Sequence, residues 1–247
     1  METKEYDIMY AVEDNHFWYR GMRDITASLF EKYLPAKKNN TILDAGCGTG
    51  AGMEFLKKYG TVHGFDISAR AIEFCHKRGL DNVILGSIDE IPYEDSKFDL
   101  VTCFDVLGQR EVSSDKKAMK EFHRVLKPGG ILLIRIAANN WLYGYHDVAV
   151  HTRHRYNAQE VAQLFESHRL KTLGTTYANS FFFPPIAVMR LLRRFSPMRE
   201  SEGSDVNTVN PLVNIFAYYP LLLESKIVRY ARLPFGLSVI GVAQKKL

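Results

Sequence analysis

A strand that ends in an acid and runs into a glycine-rich turn constrains the fold more than any other feature of this chain. The strand residues Ile42-Leu43-Asp44-Ala45 are followed by three glycines at alternate positions, Gly46, Gly48 and Gly50. Glycine has no β-carbon, so the backbone can turn sharply there and approach a ligand closely. The segment therefore predicts a strand–loop–helix unit with a ligand site at the loop, where Asp44 supplies a carboxylate suited to an ammonium group.

Apolar β-type runs alternate with helix-length polar stretches along most of the chain. This alternation predicts a doubly wound, Rossmann-like α/β fold whose seven-stranded sheet is mostly parallel. Two helices are predicted before the sheet, at Thr3–Val12 and His16–Tyr33. The predicted strands are Thr41–Ala45, Val62–Asp66, Val83–Leu85, Phe98–Phe104, Ile131–Ile136, Lys171–Tyr177 and Leu237–Gln244.

The chain divides into four predicted parts: an N-terminal helical cap (1–40), the main domain (41–177), a helical insertion (178–235) and the final strand (236–247). The insertion is far longer than a connection between two strands needs. It contains two apolar helical stretches, Pro185–Phe195 and Pro211–Arg232, around a polar loop at Glu200–Asn210. Three interpretations stay open: an extra packing layer or homodimer surface, a lid over the site, or a helix at a membrane interface.

Composition narrows the classes of protein to consider. The chain has 247 residues, of which 46% are hydrophobic and 24% charged, with a formal charge of +4. It has no run of five Lys or Arg, so nucleic acid is not an expected partner. No apolar stretch reaches the roughly 18 residues that span a bilayer, and no secretory signal opens the chain. Three scattered cysteines predict no disulfide framework. We expect a cytoplasmic protein that acts on a small molecule without a membrane.

A second acid completes the pattern of a nucleoside site. Val62-His63-Gly64-Phe65-Asp66 is a strand whose terminal carboxylate lies twenty residues after Gly46, where it can bind the two hydroxyls of a ribose. A dinucleotide site would use the same Asp66. However, the glycine spacing is G-x-G-x-G rather than G-x-G-x-x-G, which disfavours NAD and FAD.

Together these segments resemble the class I S-adenosylmethionine (SAM)-dependent methyltransferases. The matching stretches are ILDAGCGTG at 42–50, GFDIS at 64–68, GSIDEIPY at 86–93, FDLVTCFDVL at 98–107 and EFHRVLKPGGILLI at 121–134. The resemblance implies a SAM-dependent enzyme. It implies Asp44 and the three glycines around the methionine part of SAM, Asp66 on the ribose, and Ile67, Ser87 and Ile88 at the adenine. Phe104 and Arg20 complete the implied cofactor set.

The chain departs from the family pattern at two points. Ser87 stands where the family usually has an Asp that accepts from the adenine amine, and a Ser accepts more weakly. Gly108 and Gln109 stand where many relatives have Glu-His, which removes one candidate general base.

The stretch after the fifth strand resembles a bacterial subgroup that has Pro-Ala-Tyr there, followed by His-Asp and Arg-Tyr. Here Ala137 and Asn139 replace the Pro and the Tyr, whereas His146-Asp147 and Arg155-Tyr156 are retained. These replacements are similar to those of cyclases that convert SAM into azetidine-2-carboxylate and 5′-methylthioadenosine. That resemblance implies Asn139, or its neighbour Asn140, and Tyr177 as catalytic residues.

Several alternatives remain open at this stage. The reaction is either cyclisation of SAM or methyl transfer to nitrogen or oxygen of a separate small molecule, and a non-catalytic SAM-binding protein is a third interpretation. Tyr177 can simply pack at its strand end, and the two asparagines can be turn residues. His146, His151 and His154 lack the spacing of metal ligands, so no metal is expected. Arg20, Arg153 and Arg155 either bind the carboxylate of the cofactor or are solvated charges.

Overall fold

The computed structural model describes residues 2–34, 39–194 and 209–246. Its helices are α1 (Thr3–Val12), α2 (Phe17–Tyr33), α3 (Ala51–Leu56), α4 (Ala69–Lys77), α5 (Asp115–Val125), α6 (Tyr145–Ala149), α7 (Ala158–Ser167), α8 (Phe183–Arg194) and α9 (Pro211–Tyr230). Its strands are β1 (Asn40–Ala45), β2 (Gly60–Asp66), β3 (Val83–Leu85), β4 (Phe98–Phe104), β5 (Leu126–Ala137), β6 (Leu170–Ala178) and β7 (Ser238–Lys245).

The seven strands form one sheet in the order β3-β2-β1-β4-β5-β7-β6. The first five strands are parallel, whereas β7 runs antiparallel to both of its neighbours, β5 and β6. The prediction of a mostly parallel, Rossmann-like seven-stranded sheet is therefore confirmed. Strand order reverses between β1 and β4, and ligands of such sheets bind at the carboxyl ends of the strands beside that reversal.

Alternate residues of the central strands point to opposite faces of the sheet, and helices cover both faces. One face carries Ile42, Leu100 and Ile240 under α2, α3 and α9. The other carries Leu43, Val101 and Val239 under α5 and α7. Burial on both faces explains why these strands are apolar along their whole length instead of alternating with polar residues.

Helix α9 of the insertion packs along α2. A β-carbon on Gly21 of α2 would lie 2.4 Å from Cβ of Leu221, so glycine allows the two helices to approach. Tyr218 donates to Asp24 at 2.6 Å, and Asn214 accepts from the backbone N–H of Phe17 at 2.6 Å. The predicted polar loop Glu200–Asn210 lies mostly outside the described residues. Within the described ranges, no helix combines the length and the apolar character that crossing a bilayer requires.

Candidate functional site

The glycine-rich turn between β1 and α3 has the conformation that its sequence predicts. Gly46 and Gly48 have φ angles of 78° and 55°, in the left-handed region that favours glycine. A β-carbon on Gly46 would lie 2.3 Å from Cγ2 of Val106, so no larger residue fits there. The backbone N–H of Gly48 donates to Oδ2 of Asp66 at 2.9 Å, which ties the turn to the end of β2.

Asp44 is the penultimate residue of β1 and carries a buried carboxylate that is only 2% exposed. Thr102 of β4 donates to its Oδ1 at 2.8 Å. Burial raises the pKa of Asp44 to about 7, and the hydrogen bond from Thr102 opposes this rise only in part. A buried carboxylate of this kind is stabilised by a cationic partner, because opposite charge favours its ionised form.

Asp66 ends β2 and already accepts three hydrogen bonds. Besides Gly48, the backbone N–H of Ser68 donates to Oδ1 at 2.9 Å and the hydroxyl of Tyr6 donates to the same oxygen at 3.2 Å. Burial is the main reason that the pKa of Asp66 is raised. Tyr6 belongs to α1, so the first helix of the chain covers the end of β2.

A single cavity of about 890 Å³ lies over these strand ends. This volume lies in the upper part of the range of about 300–1,000 Å³ that is typical of small-molecule sites. Its glycine-loop half is lined by eight of the residues predicted to bind the cofactor. They are Asp44, Gly46, Gly48, Asp66, Ile67, Ser87, Ile88 and Phe104.

The other half of the cavity, the insertion half, is lined by residues that sequence reasoning mostly missed: Trp18 and Tyr19 of α2, Asp105, Arg135 of β5, Asp147, His154, Arg155, and Phe182, Ile186, Met189 and Arg190 at α8. Of these residues, the sequence had drawn attention to Asp147, His154 and Arg155, which belong to the segment after the fifth strand. Because they come from distant segments, no single motif could have predicted them.

Arg135 is the central charge between the two halves. It donates from Nε and Nη2 to Oδ2 of Asp105 at 2.8 and 2.6 Å. Its guanidinium also lies 5.0 Å from the ring centroid of Trp18 and 4.8 Å from that of Phe104. Aromatic faces attract a cation, so these contacts hold Arg135 in place.

The retained Asp147 and Arg155 form a buried ion pair in the insertion half. Nε of Arg155 lies 2.7 Å from Oδ1 of Asp147, and Nη2 lies 2.9 Å from Oδ2. Arg155 is 6% exposed and Asp147 is 1% exposed. Nη1 of Arg190 approaches the same carboxylate at 3.5 Å. Arg155 is therefore not a solvated charge. Arg153, by contrast, lies nearer the surface and pairs with Asp115.

Five residues of the predicted site are not among those that line the cavity: Gly50, Arg20, Asn139, Asn140 and Tyr177. Gly50 instead caps the N-terminus of α3, and Arg20 lies 4.2 Å over the ring of Tyr218.

The three predicted catalytic residues make local contacts. The hydroxyl of Tyr177 accepts from the backbone N–H of Ala158 at 3.2 Å. Asn139 has a positive φ of 62° before a short 3₁₀ turn, which fits a turn residue. Asn140 accepts from the backbone N–H of Arg155 at 2.9 Å.

The histidines after the fifth strand do not converge on one point. His151 contacts Glu111 at 2.5 Å, whereas Nδ1 of His154 contacts Asn140 at 3.0 Å. The side chain of His146 is not described. In the part of the chain that the structure describes, no group of three or more His, Cys, Asp or Glu side chains is arranged to hold a metal ion.

Comparison with known proteins identifies the domain that builds the glycine-loop half. Residues 43–134 match the methyltransferase domain family. The matched segment runs from β1 into β5 and is less than half of the chain. This domain confirms the predictions of a SAM-dependent enzyme and of SAM as its cofactor.

Two curated methyltransferases are similar to part of this chain. One is malonyl-(acyl-carrier protein) O-methyltransferase of Yersinia pestis, which is 35% identical over 103 residues, 41% of this chain and 38% of the relative. Demethylmenaquinone methyltransferase of Geobacillus stearothermophilus is 34% identical over 125 residues, 47% of this chain and 53% of the relative. The chain thus spans about half or less of the length of these two relatives.

The fold likeness extends well beyond the methyltransferase domain. A SAM-dependent methyltransferase of Thermotoga maritima has a similar structure with a TM-score of 0.58 and 18% sequence identity. The comparison covers 98% of this chain and 96% of that one. At this identity the likeness describes the fold alone.

Proposed function

We propose that the enzyme transfers a methyl group from SAM to a separate small molecule. One observation supports this proposal above the others: the cavity continues from the glycine-loop half into the insertion half, beyond the residues suited to the cofactor. Cyclisation of SAM involves no second molecule, so it needs no space beyond the cofactor site. The aromatic walls and buried charges of the insertion half are suited to a second molecule that carries both apolar and polar groups.

The polar and apolar groups of the glycine-loop half fit SAM. Asp44 presents a buried carboxylate to an ammonium group, and Asp66 presents acceptors to ribose hydroxyls beside the backbone of Gly48. The exposed side chain of Ile67 and the buried Ile88 supply apolar surface for a purine. When bound, SAM supplies a methyl group on a positively charged sulfur. We assign Asp44, Gly46, Gly48, Asp66, Ile67, Ser87, Ile88 and Phe104 to the cofactor.

The contribution of this chain to the reaction is mainly to hold and to desolvate the two reactants. Holding both in one cavity replaces a bimolecular encounter by an oriented one, which is a large part of catalysis in transfers of this kind. His16 adds a polar anchor at the cavity wall. Its Nδ1 accepts from the backbone N–H of Trp18 at 3.2 Å, so Nε2 carries the proton of the neutral ring. This buried Nε2 has no partner among the described residues, and we assign it to an oxygen of the acceptor.

Cyclisation of SAM to azetidine-2-carboxylate stays a prediction. The residues on which it depends, Asn139, Asn140 and Tyr177, do not line the cavity, and the ring of Tyr177 lies beside α7. Methyl transfer is therefore the function that we favour.

The nucleoside product distinguishes the two reactions because they break different carbon–sulfur bonds. Purified enzyme is incubated with SAM alone and then with pools of small-molecule acceptors, and the nucleosides are separated by chromatography. We expect SAM to stay at the level of the no-enzyme blank without an acceptor, and S-adenosylhomocysteine to appear with one. Accumulation of 5′-methylthioadenosine above the blank, from SAM alone, would contradict methyl transfer.

Two variants serve as matched controls in this assay. Asp66→Ala is expected to remove the activity by weakening the binding of SAM. Tyr177→Ala is expected to retain the rate of methyl transfer within about twofold, because the side chain makes no contact with the cavity. If Tyr177→Ala slows turnover about tenfold while SAM affinity is unchanged, the cyclase assignment of Tyr177 gains support.

A further inference from the structure

The insertion exposes an unusual amount of apolar surface. Of the 19 large hydrophobic side chains that are exposed among the described residues, 13 lie between 178 and 235. Monomeric soluble proteins rarely expose large apolar patches, so a concentration of exposed apolar side chains in one segment points to a binding surface. We define the α8–α9 face by the exposed residues Val188, Leu191, Leu192, Leu212, Phe216, Tyr219 and Leu223.

Helix α9 is apolar on two sides, and only one of them is covered. Its inner side packs on α2 through buried residues that include Leu221 and Val228. Its outer side carries Leu212, Phe216, Tyr219 and Leu223, at spacings of four, three and four residues, which place them in one stripe along the helix. Their exposed fractions range from 50% to 69%. The contacts with α2 fix the inner side, so the stripe faces away from the protein.

Helix α8 connects this surface to the cavity. Ile186 and Arg190 line the insertion half of the cavity. Two residues further along the helix from each of them, Val188 is 55% exposed and Leu192 is 65% exposed. The wall of the cavity and the α8–α9 face are therefore two sides of the same helix.

The charges of the described part of the insertion have one sign where they are exposed. In residues 178–194 and 209–235 the acidic side chain is Glu224, which is fully buried and accepts from the backbone N–H of Phe181. Lys226 continues the apolar stripe of α9 and is exposed. The exposed basic side chains of these ranges that the structure describes are Lys226, Arg229 and Arg232, of which Arg229 pairs with Glu31 of α2. The acids Glu200, Glu202 and Asp205 lie outside the described residues.

We propose that the α8–α9 face binds the surface of an anionic lipid bilayer. Exposed Leu, Phe and Tyr residues next to Lys and Arg are the combination by which helices lie in the interface of such bilayers without spanning them. A second copy of this chain is a weaker occupant. A two-fold interface brings the same patch together with itself, so the basic residues would face one another. Lipid phosphates instead attract them. The bound bilayer would lie beside the wall of the insertion half.

Vesicle sedimentation tests this proposal with the full chain and needs neither SAM nor an acceptor. The vesicles contain phosphatidylcholine alone or phosphatidylcholine with phosphatidylglycerol. We expect the protein to sediment with the anionic vesicles and to be released as salt is raised, because salt screens the attraction. Phe216→Glu should lower the partition coefficient about tenfold or more, since it places a charge in the apolar stripe. Lys226→Glu should weaken binding to anionic vesicles alone.

Leu85→Glu is the matched control, because Leu85 is 60% exposed on β3, outside the α8–α9 face, and Phe216 is 69% exposed. Leu85→Glu should bind vesicles as the unchanged protein does. Titration with SAM verifies that each variant is folded.

Light scattering is measured in parallel to determine the oligomeric state. A dimer that Phe216→Glu dissociates, without vesicle binding, would assign the face to a second copy and overturn the proposal. A monomer that binds neither kind of vesicle would overturn the proposal as well. Either result leaves the proposed methyl transfer unaffected.

Discussion

The two halves of the cavity are built in different ways. The glycine-loop half comes from the ends of β1, β2, β3 and β4 and from the turns that follow them, so its key residues lie at fixed distances from short sequence motifs. The insertion half brings together α2, the end of β5, residues 147–155 and α8. This contrast indicates that the scaffold proposed for the cofactor is local in sequence, whereas the surroundings of the proposed acceptor depend on how distant segments pack.

The largest effect is expected when the buried ion pair of the insertion half is broken. Arg155→Met leaves the carboxylate of Asp147 without its main partner, so we expect the free energy of unfolding to fall by about 3–5 kcal/mol. Urea unfolding measures this change. Arg229→Met is the matched control, because Arg229 pairs with Glu31 at 2.7 Å on the surface with both side chains about half exposed. It should cost about 1 kcal/mol or less.

The same Arg155→Met variant examines whether the two halves are independent. If they are, the folded variant binds SAM with an affinity within about twofold of the original, because distant sites without shared partners add independently. A loss of SAM affinity comparable to the loss of stability would contradict the division into two halves.

Asp66→Ala tests the glycine-loop half directly. It removes a charged acceptor from the predicted ribose contact, so we expect SAM binding to weaken by about 1.5–3 kcal/mol, or roughly ten- to 150-fold. Calorimetry measures the affinity. Asp95→Ala serves as the control, because Asp95 is largely exposed and pairs with Arg124 away from the cavity. Unchanged SAM affinity in Asp66→Ala would mean that another residue binds the ribose.

The smallest expected effect is a pH dependence that Asp44 produces. Its pKa is raised from 3.8 to about 7, so the folded protein without SAM binds a proton more readily than the unfolded chain does. The contribution of Asp44 to stability is therefore present at acidic pH and is lost as pH rises from about 4 to 7. SAM binding has the opposite dependence because an ammonium prefers the ionised carboxylate. Affinity should fall by up to about tenfold per pH unit below pH 7.

Asp44→Asn provides the comparison for this titration. It should bind SAM weakly at every pH and show little change between about pH 5.5 and 7, where the α-amino group of SAM stays protonated. An unchanged slope in this variant would assign the pH dependence to another group, with Asp66 as the next candidate, since burial raises its pKa too.

The sequence predicted the fold and the glycine-loop half because their determinants are short. A strand, an acid and a turn that only glycine can adopt specify where Asp44 and Gly46 lie, and the spacing to Asp66 follows from one β-α-β unit. Arg135 could not be predicted as part of the cavity. It belongs to an otherwise apolar strand, and only the packing of α2 brings Trp18 over its guanidinium.

Tyr177 illustrates the other limit of the sequence. The resemblance to SAM cyclases implied a catalytic role for Tyr177, which requires a place at the crevice, and that place depends on the order of strands in the sheet. Strand β7 lies between β5 and β6, so β6 forms the edge of the sheet and Tyr177 lies far from the reversal between β1 and β4. Periodicity predicts that a strand exists, whereas its neighbours are chosen by long-range pairing.

The position of β7 also has a consequence for the synthesis of the protein. This strand is the seventh in chain order, yet it pairs with β5 on one side and with β6 on the other. While the ribosome is still producing the insertion, β5 presents an open edge and β6 has no partner. Nascent chains with unpaired strand edges are prone to aggregate. The sheet cannot be completed until Ser238–Lys245 has been synthesised. The long insertion therefore lengthens the time between the synthesis of β6 and its pairing with β7.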